Sequence, residues 1–141
     1  MAFATAGHEA PELFDAISAE AVRRRLDGFN PQNLANTAWA FATLGRADPE
    51  LLNAISAEAV HRRLVGFNEQ NLSNTVWACA TARYASPELF NAISAEAVRR
   101  GLACFDAQEL SNMAWAFANA GHASPELFDA ISAEAVRRGL G

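Results

Sequence analysis

Hydrophobic and polar positions repeat with the period of an α-helix in two kinds of segment along this chain. In residues 31–44, Leu34, Ala38 and Phe41 fall on one side of a helix and the polar side chains fall on the other. In the segment that begins at Pro11, the apolar residues form one broad face, made of Leu13, Phe14, Ile17, Ala21 and Val22. No segment sustains the period of two that is typical of strands. The pattern therefore predicts an all-α protein.

Both segments, which we call the first helix and the second helix, recur every 38 residues: the letters ISAEAV begin at residues 17, 55, 93 and 131. A fixed period of this size marks a repeat architecture, in which each unit buries its apolar face on a neighbouring copy. We therefore expect one continuous α-solenoid of antiparallel helix pairs. It would comprise a partial repeat over 1–28 (the end of a first helix plus a second helix) and repeats over 29–66, 67–104 and 105–141. Because Met1 falls where Trp39 falls, we expect a fragment of a longer array.

Capping residues define the ends of these helices. Asn30 suits the N-cap of a first helix, and Asp106 with Glu109 has the spacing of a capping box. Glycine follows the first helix in two repeats, at Gly45 and Gly121. Arg83 replaces it in the middle repeat, so we expect a strained turn there. The predicted N-caps of the second helices, each followed by proline, are Asp48, Ser86 and Ser124.

The composition is that of a globular chain and excludes several classes of protein. Apolar residues make up 51% of the 141, and none of their runs approaches the roughly 18 that a membrane span needs. Cys79 and Cys104 do not combine with the three scattered histidines in a zinc spacing, so we expect buried thiols and neither metal nor cofactor. No catalytic constellation is visible, and we predict that the protein is not an enzyme.

Polar residues on the first helix supply the candidate chemistry. At about 100° per residue, Gln32, Asn36 and Thr43 fall within about 40° of one another, with Asn33 nearby and Trp39 at the border. Amides there are able to hydrogen-bond to base edges, and the indoles to stack on bases. In the competing interpretation, the amides tie neighbouring repeats together and the tryptophans belong to the core. The candidate RNA-binding residues are Gln32, Asn33, Asn36, Gln70, Asn71, Asn74, Gln108, Glu109 and Asn112.

Three register positions differ between repeats and are therefore candidates for specificity, or for drift at solvent positions. One is the position of Asn33 and its equivalents. The other two sets are Thr37, Thr75 and Met113, and Arg46, Tyr84 and His122 in the turn between the helices.

Arginines at the end of each second helix form a basic ridge, although the 16 acidic and 11 basic residues leave a net charge of −5. A generic nucleic-acid binder is more basic than this. Glu20 lies four residues before Arg24, a favourable helical pairing that recurs in each repeat and neutralises part of the ridge. The candidate phosphate contacts are Arg23, Arg63, Arg99 and Arg137.

The repeat, with FNPQNLANTAWAFATLG at residues 29–45 followed by PEL, AI and A at fixed spacing, resembles those of octotricopeptide-repeat and RAP-domain proteins. The resemblance covers essentially the whole chain, without the RAP domain itself. It implies an α-solenoid that binds organellar transcripts and affects their stability, processing or translation, in chloroplast or mitochondrion. The opening MAFATAG shows no targeting segment.

Three hypotheses follow from the sequence. The first is a fragment of an RNA-binding helical-repeat protein that holds single-stranded RNA along its first helices. The second is a scaffold that binds a protein or peptide, which suits an acidic chain without lysine. The third is a fragment that associates with further repeats through its ends. A negative groove would favour the peptide, and a neutral groove edged with arginine would favour RNA.

Overall fold

The computed structural model describes residues 11–24, 26–45, 48–84, 86–122 and 124–139, and within these ranges it contains helices and no strand. The prediction of an all-α protein is confirmed. The expected end of a first helix in residues 1–10 lies outside the described residues. The helices are α1 (Pro11–Arg23), α2 (Pro31–Thr43), α3 (Pro49–His61), α4 (Glu69–Thr81), α5 (Pro87–Arg100), α6 (Ala107–Asn119) and α7 (Pro125–Arg137), with a short 3-10 helix at Leu102–Cys104.

Helices of the same kind pack against each other from one repeat to the next. Among the first helices, α2 packs on α4 and α4 on α6, and among the second helices α1 packs on α3, α3 on α5 and α5 on α7. Small side chains let the first helices approach closely. Ala35 is fully buried, and the equivalent Ser73 donates its hydroxyl to the Glu109 carbonyl oxygen of the next first helix at 3.3 Å. Neighbouring repeats are thus held at short range along their first helices.

The apolar face of the second helix forms the core, as its pattern predicts. The equivalents of Leu13, Phe14, Ile17 and Ala21 are buried in the next repeat and that of Val22 is half-buried, and one continuous cluster includes both kinds of helix. The side chains of Leu13, Phe14 and Ala21 lie outside the described residues. The buried second-helix residues are Leu51, Leu52, Ile55, Ala59, Leu89, Phe90, Ile93 and Ala97.

Every described first helix begins with a reciprocal capping box. Asn30 Oδ1 accepts from the Asn33 backbone N–H at 2.7 Å, and Asn33 Oδ1 accepts from the Asn30 N–H at 3.0 Å. The same pair of bonds joins Asn68 to Asn71. The predicted box of Asp106 is confirmed as well. Two backbone N–H groups at the start of each of these helices are satisfied locally, which fixes where each first helix begins.

The second helices confirm two of the three predicted N-caps. Asp48 accepts from the backbone N–H of Glu50, and Ser86 from that of Leu89 at 3.3 Å. The prediction is wrong for Ser124, whose hydroxyl makes a hydrogen bond with the hydroxyl of Ser94 instead of capping α7. This buried bond links α5 to the start of α7, so the hydroxyl serves the contact between second helices.

Two arginines occupy left-handed backbone positions where other repeats place glycine. Arg83 has φ 61°, while the equivalent Gly45 and Gly121 have φ 67° and 65°. Arg63 has φ 55° where the equivalent Gly101 has φ 80°. The left-handed conformation costs a side-chain-bearing residue about 1–2 kcal/mol. The expected strain of the turn at Arg83 is confirmed by its positive φ.

Candidate nucleic-acid interface

One side of each first helix carries amides, a tryptophan and a hydroxyl or further amide, with no ionisable group. On α2 all four of these residues are exposed, because positions 32, 36, 39 and 43 recur on one side of a helix. On α4 only Gln70 is exposed and the others are half-buried. We call this surface the indole–amide face; it comprises Gln32, Asn36, Trp39, Thr43, Gln70, Asn74, Trp77, Thr81, Gln108, Asn112, Trp115 and Asn119.

The three tryptophans form a row across this face. Trp39 and Trp115 are each 45% exposed, and Trp77 between them is half-buried against the core. The ring centroids of Trp39 and Trp77 are 6.4 Å apart, and those of Trp77 and Trp115 are 6.3 Å apart. The interpretation of the tryptophans as core residues is therefore wrong for Trp39 and Trp115.

The amides of the face serve partly to join structural elements. Asn119 Nδ2 donates to the Ala80 carbonyl oxygen of the preceding repeat at 3.4 Å, which is the kind of tie that the competing interpretation predicts. Gln108 Nε2 donates to Asn112 Oδ1 at 3.0 Å along one helix. Contact between RNA and the amides of the face stays a prediction. Gln32, Asn36, Gln70 and Gln108 are exposed, whereas Asn74 and Asn112 are half-buried.

The capping boxes engage one set of predicted RNA contacts. The side-chain oxygens of Asn33, Asn71 and Glu109 accept from the backbone N–H of their N-cap residues. Asn71 is only 5% exposed, so little of it is open to a ligand, whereas Asn33 is exposed. Asparagine and glutamate at this position share a structural role, which accounts for both residue types without any ligand.

The other two sets of specificity candidates lie elsewhere. Thr75 and Met113 have no exposed surface, so the expectation that their position reads a ligand is wrong for both. The Tyr84 hydroxyl donates to Asn53 Oδ1 at 2.6 Å, which joins consecutive repeats on the second-helix side. His122 Nε2 makes the equivalent bond to Asn91 at 2.8 Å. Of the other members, Thr37 is half-buried and Arg46 lies outside the described residues.

Three of the four predicted phosphate contacts are ion-paired. Arg23, Arg99 and Arg137 each donate Nε–H to the glutamate three residues earlier, at 3.0–3.1 Å. The hydrogen bond from Arg23 and a second one from Arg24 lower the pKa of Glu20 to about 2. The equivalent pairs lower the pKa values of Glu96 and Glu134 to about 2 as well, with Arg99 and Arg137 as the first cause. At neutral pH the clusters of Glu20 and Glu134 each hold two guanidinium groups and one carboxylate, and that of Glu96 also includes the Glu69 carboxylate.

The arginine at the register of Arg24 connects the two helices in each of the three full repeats. Arg62 Nη1 donates to the Phe29 carbonyl oxygen just before α2 at 2.6 Å, and Arg138 Nη2 reaches the carbonyl oxygen of Phe105 just before α6. Arg100 Nη1 instead binds the Glu69 carboxylate at the start of α4, at 2.9 Å. Sequence reasoning missed this role. The signal for it was an arginine at the same register in every repeat, including Arg24.

Arg63 is the remaining predicted phosphate contact, and it differs from the other three. Its side chain is exposed and makes no ion pair with any described residue. Since the preceding Arg62 touches the residue before α2, Arg63 lies near the amino-terminal edge of the first helices. Arg83, which is also exposed, follows the carboxyl end of α4 and so lies at the opposite edge.

The cysteines do not form a site. Burial raises the pKa of the Cys79 thiol to about 11, and this thiol lies 3.9 Å from the Ser56 hydroxyl. Cys104 is exposed, contrary to the expectation of two buried thiols, and its sulfur lies 3.1 Å from the Gly101 carbonyl oxygen. In the part of the chain that the structure describes, no three potential metal ligands come together. None of the described helices has the length and apolarity to cross a membrane.

Comparison with known proteins links the chain to translation. Residues 2–126 match the family model described as the Tbc2 translation factor, N-terminal domain. Comparisons with curated proteins and with solved structures gave no match. The resemblance to octotricopeptide repeats and RAP-domain proteins stays a prediction beside this finding. Because the match covers most of its length, the chain belongs to the family of Tbc2 translation factor N-terminal domains.

Proposed function

We propose that this chain is an RNA-binding helical-repeat module that acts in translation inside an organelle, chloroplast or mitochondrion. Its repeats stack as an α-solenoid, and single-stranded RNA lies along the row of first helices. The module is not catalytic and needs no cofactor. Membership of a translation-factor domain family supports a role in translation. The indole–amide face supports single-stranded RNA as the ligand, and this face is the observation that carries the proposal.

The chemistry of the face suits unpaired bases. An amide both donates and accepts hydrogen bonds, so it matches the mixed donors and acceptors on the edge of a base. An indole offers a flat apolar surface for a base. The same residue types recur on α2, α4 and α6, so successive nucleotides meet similar surroundings.

The absence of charge on the face itself favours unpaired bases over a strongly charged peptide. The face contains no ionisable residue. Arg63 lies beyond its amino-terminal edge, where Glu69 is paired with Arg100 and Asp106 and Glu109 form a capping box, and Arg83 lies beyond the opposite edge. A neutral surface with cations at its borders leaves the phosphates outside and the bases inside. Because the net charge of the chain is −5, phosphate attraction alone is too weak to hold RNA. We therefore expect binding with a shallow salt dependence, dominated by contacts to bases.

A peptide ligand is the second candidate. The acidic, lysine-free composition favours a basic or neutral protein partner, and the same amides hydrogen-bond to an extended backbone. Such a ligand would occupy the same face, so the two candidates compete for one surface. An excess of RNA that fails to displace a bound peptide would show two separate sites.

Equilibrium binding to a labelled, unstructured RNA of mixed sequence at low ionic strength tests the proposal. The double variant Gln32→Ala and Gln70→Ala removes two exposed amides from the face, and we expect about tenfold weaker binding. The control variant Asn53→Ala and Asn91→Ala removes two amides from the second-helix side and should bind as the wild type does. Unfolding temperatures show whether each variant is folded. Absence of measurable binding by the wild-type chain would overturn the proposal.

A further inference from the structure

We infer that Trp39, Trp77 and Trp115 form a stacking ladder with two gaps, and that each gap accepts one unpaired base of the RNA. The inference rests on the proposed function and deepens it, because it names the part of the RNA that is bound and the way it is held. It needs nothing from the arginines, so it fails or stands independently of the phosphate contacts.

The spacing of the indoles is the first argument. Stacked bases follow one another at about 3.4 Å, so a base sandwiched between two rings holds those rings about 6.8 Å apart. The centroids here are already 6.4 Å and 6.3 Å apart. The centroid spacing therefore matches that of a base sandwich to within a few tenths of an ångström, and the tilted rings have to rotate towards parallel planes to hold a base between them. The planes of neighbouring rings are inclined to each other by 31° and 36°.

The packing of the first helices maintains this spacing. Trp39, Trp77 and Trp115 lie on α2, α4 and α6, which approach closely through buried small residues such as Ala35 and Ser73. Those contacts hold the backbones of consecutive repeats, so the indoles cannot collapse onto each other by moving the helices. The ladder is therefore largely formed before a ligand arrives, which reduces the entropy lost on binding.

The exposure of the indoles is the second argument. A large ring in an alanine-rich helix is usually packed in the core, yet Trp39 and Trp115 keep 45% of their surface open. Exposed apolar rings with polar neighbours mark an interaction site, and here two exposed indoles flank the half-buried Trp77. The polar neighbours lie within the same helices: Gln32 and Asn36 precede the indole on α2, and Thr43 follows it. A base held between indoles has amides and hydroxyls beside its hydrogen-bonding edge.

The ladder has a built-in asymmetry. Trp77 borders both gaps, whereas Trp39 and Trp115 border one gap each. Stacking of one base on an aromatic side chain changes affinity by roughly five- to a hundredfold. We expect Trp39→Ala and Trp115→Ala each to weaken binding about tenfold, and Trp77→Ala about a hundredfold. A structural role alone would not order the three variants in this way at equal unfolding temperature.

Titration of the wild-type chain with two RNAs tests the ladder. One is an unstructured purine-rich RNA and the other is its abasic equivalent, which keeps the phosphates and lacks the bases. We expect the intact RNA to quench the tryptophan fluorescence and to bind at least about tenfold more tightly than the abasic RNA. Because Trp77→Ala removes a half-buried ring, Trp77→Phe is the second variant, and we expect it to recover part of the affinity.

The outcomes separate the ladder from the proposed function. If intact and abasic RNA bind equally, or if RNA saturates the chain without quenching the fluorescence, the ladder is overturned while RNA binding stands. If Trp77→Ala and Trp39→Ala lose the same affinity, the two-gap arrangement is overturned. If the wild-type chain binds neither RNA, the proposed function fails and the ladder fails with it. Binding of a peptide with quenching would assign the indoles to a protein partner.

Discussion

The guanidinium group of Arg62 donates to the main-chain carbonyl oxygen of Phe29 at 2.6 Å, across 33 residues of chain. It thereby joins the carboxyl end of α3 to the residue before the N-cap of α2. Arg138 makes the equivalent contact with Phe105 in the last repeat. The bond connects the end of the second helix to the start of the first helix in one repeat, and we call it the arginine brace. It fixes the start of the helix that carries the indole–amide face.

Removal of this brace should destabilise the fold. Arg62 is 24% exposed and also donates to Glu58, so Arg62→Ala leaves a carbonyl and a carboxylate without their partner. We expect a loss of about 1–3 kcal/mol in the free energy of unfolding, measured by urea denaturation. Arg99→Ala is the matched control, because Arg99 is 71% exposed and its ion pair stays within one helix. It should leave the urea midpoint nearly unchanged, because solvent screens an exposed ion pair; equal losses would contradict the role of Arg62.

The two left-handed arginines give a second prediction. Arg63→Gly and Arg83→Gly both remove one charge and relieve a positive φ, so each should raise the unfolding temperature by about 2–4 °C. Only Arg63 lies at the amino-terminal edge of the first helices, where phosphate is attracted by the positive end of the helix dipoles. We expect Arg63→Gly to weaken RNA binding several-fold and to lower the salt slope by about one, while Arg83→Gly binds normally. Weaker binding by Arg83→Gly alone would place the phosphates at the opposite edge.

The capping boxes give a third prediction, which concerns stability alone. Asn68→Ala removes the acceptor for the Asn71 N–H and should cost about 0.5–2 kcal/mol. Asn68→Asp should retain most of the stability, because Asp106 already makes the same box at the equivalent position. Thermal unfolding of the two variants is the measurement. An Asp variant as unstable as the Ala variant would show that the cap does not set the stability of α4.

Acid should weaken the fold over a defined pH range. The pKa values of Glu20, Glu96 and Glu134 are lowered from 4.5 to about 2 by their arginine partners. These carboxylates therefore bind protons more readily in the unfolded chain, and their contribution is complete above pH 4.5 and lost as the pH falls towards 2. The variant Glu96→Gln should lose stability less steeply over that range than the wild type. The comparison uses the urea midpoint as a function of pH; parallel curves would contradict the ion pairs.

The sequence predicts the helices and most of their caps because these depend on neighbouring residues. Asn30, Asp48 and Ser86 act as expected. Ser124 does not, because its hydroxyl binds Ser94, which is 30 residues away in the chain. The box at Asn33 was recognisable in principle, since its spacing from Asn30 equals that of Glu109 from Asp106.

The site was harder to predict because it depends on how repeats approach one another. Periodicity places Trp39 at the border between the polar and apolar sides, and only the close packing of α2 on α4 decides that it stays exposed beside Trp77. The same packing buries Thr75, which has the same period as the exposed amides. The reach of Arg62 to Phe29 likewise depends on the antiparallel arrangement of two helices. These distances between helices cannot be read from neighbouring residues in the sequence.

The most direct test of RNA binding along the first helices is photo-crosslinking of an unstructured RNA that contains 4-thiouridine, followed by identification of the crosslinked peptides. The account predicts crosslinks within residues 31–43, 69–81 and 107–119, concentrated at the tryptophans, and their loss when unlabelled RNA competes. Crosslinks confined to the second helices, or unaffected by competitor, would contradict the assignment of the indole–amide face as the RNA-binding surface.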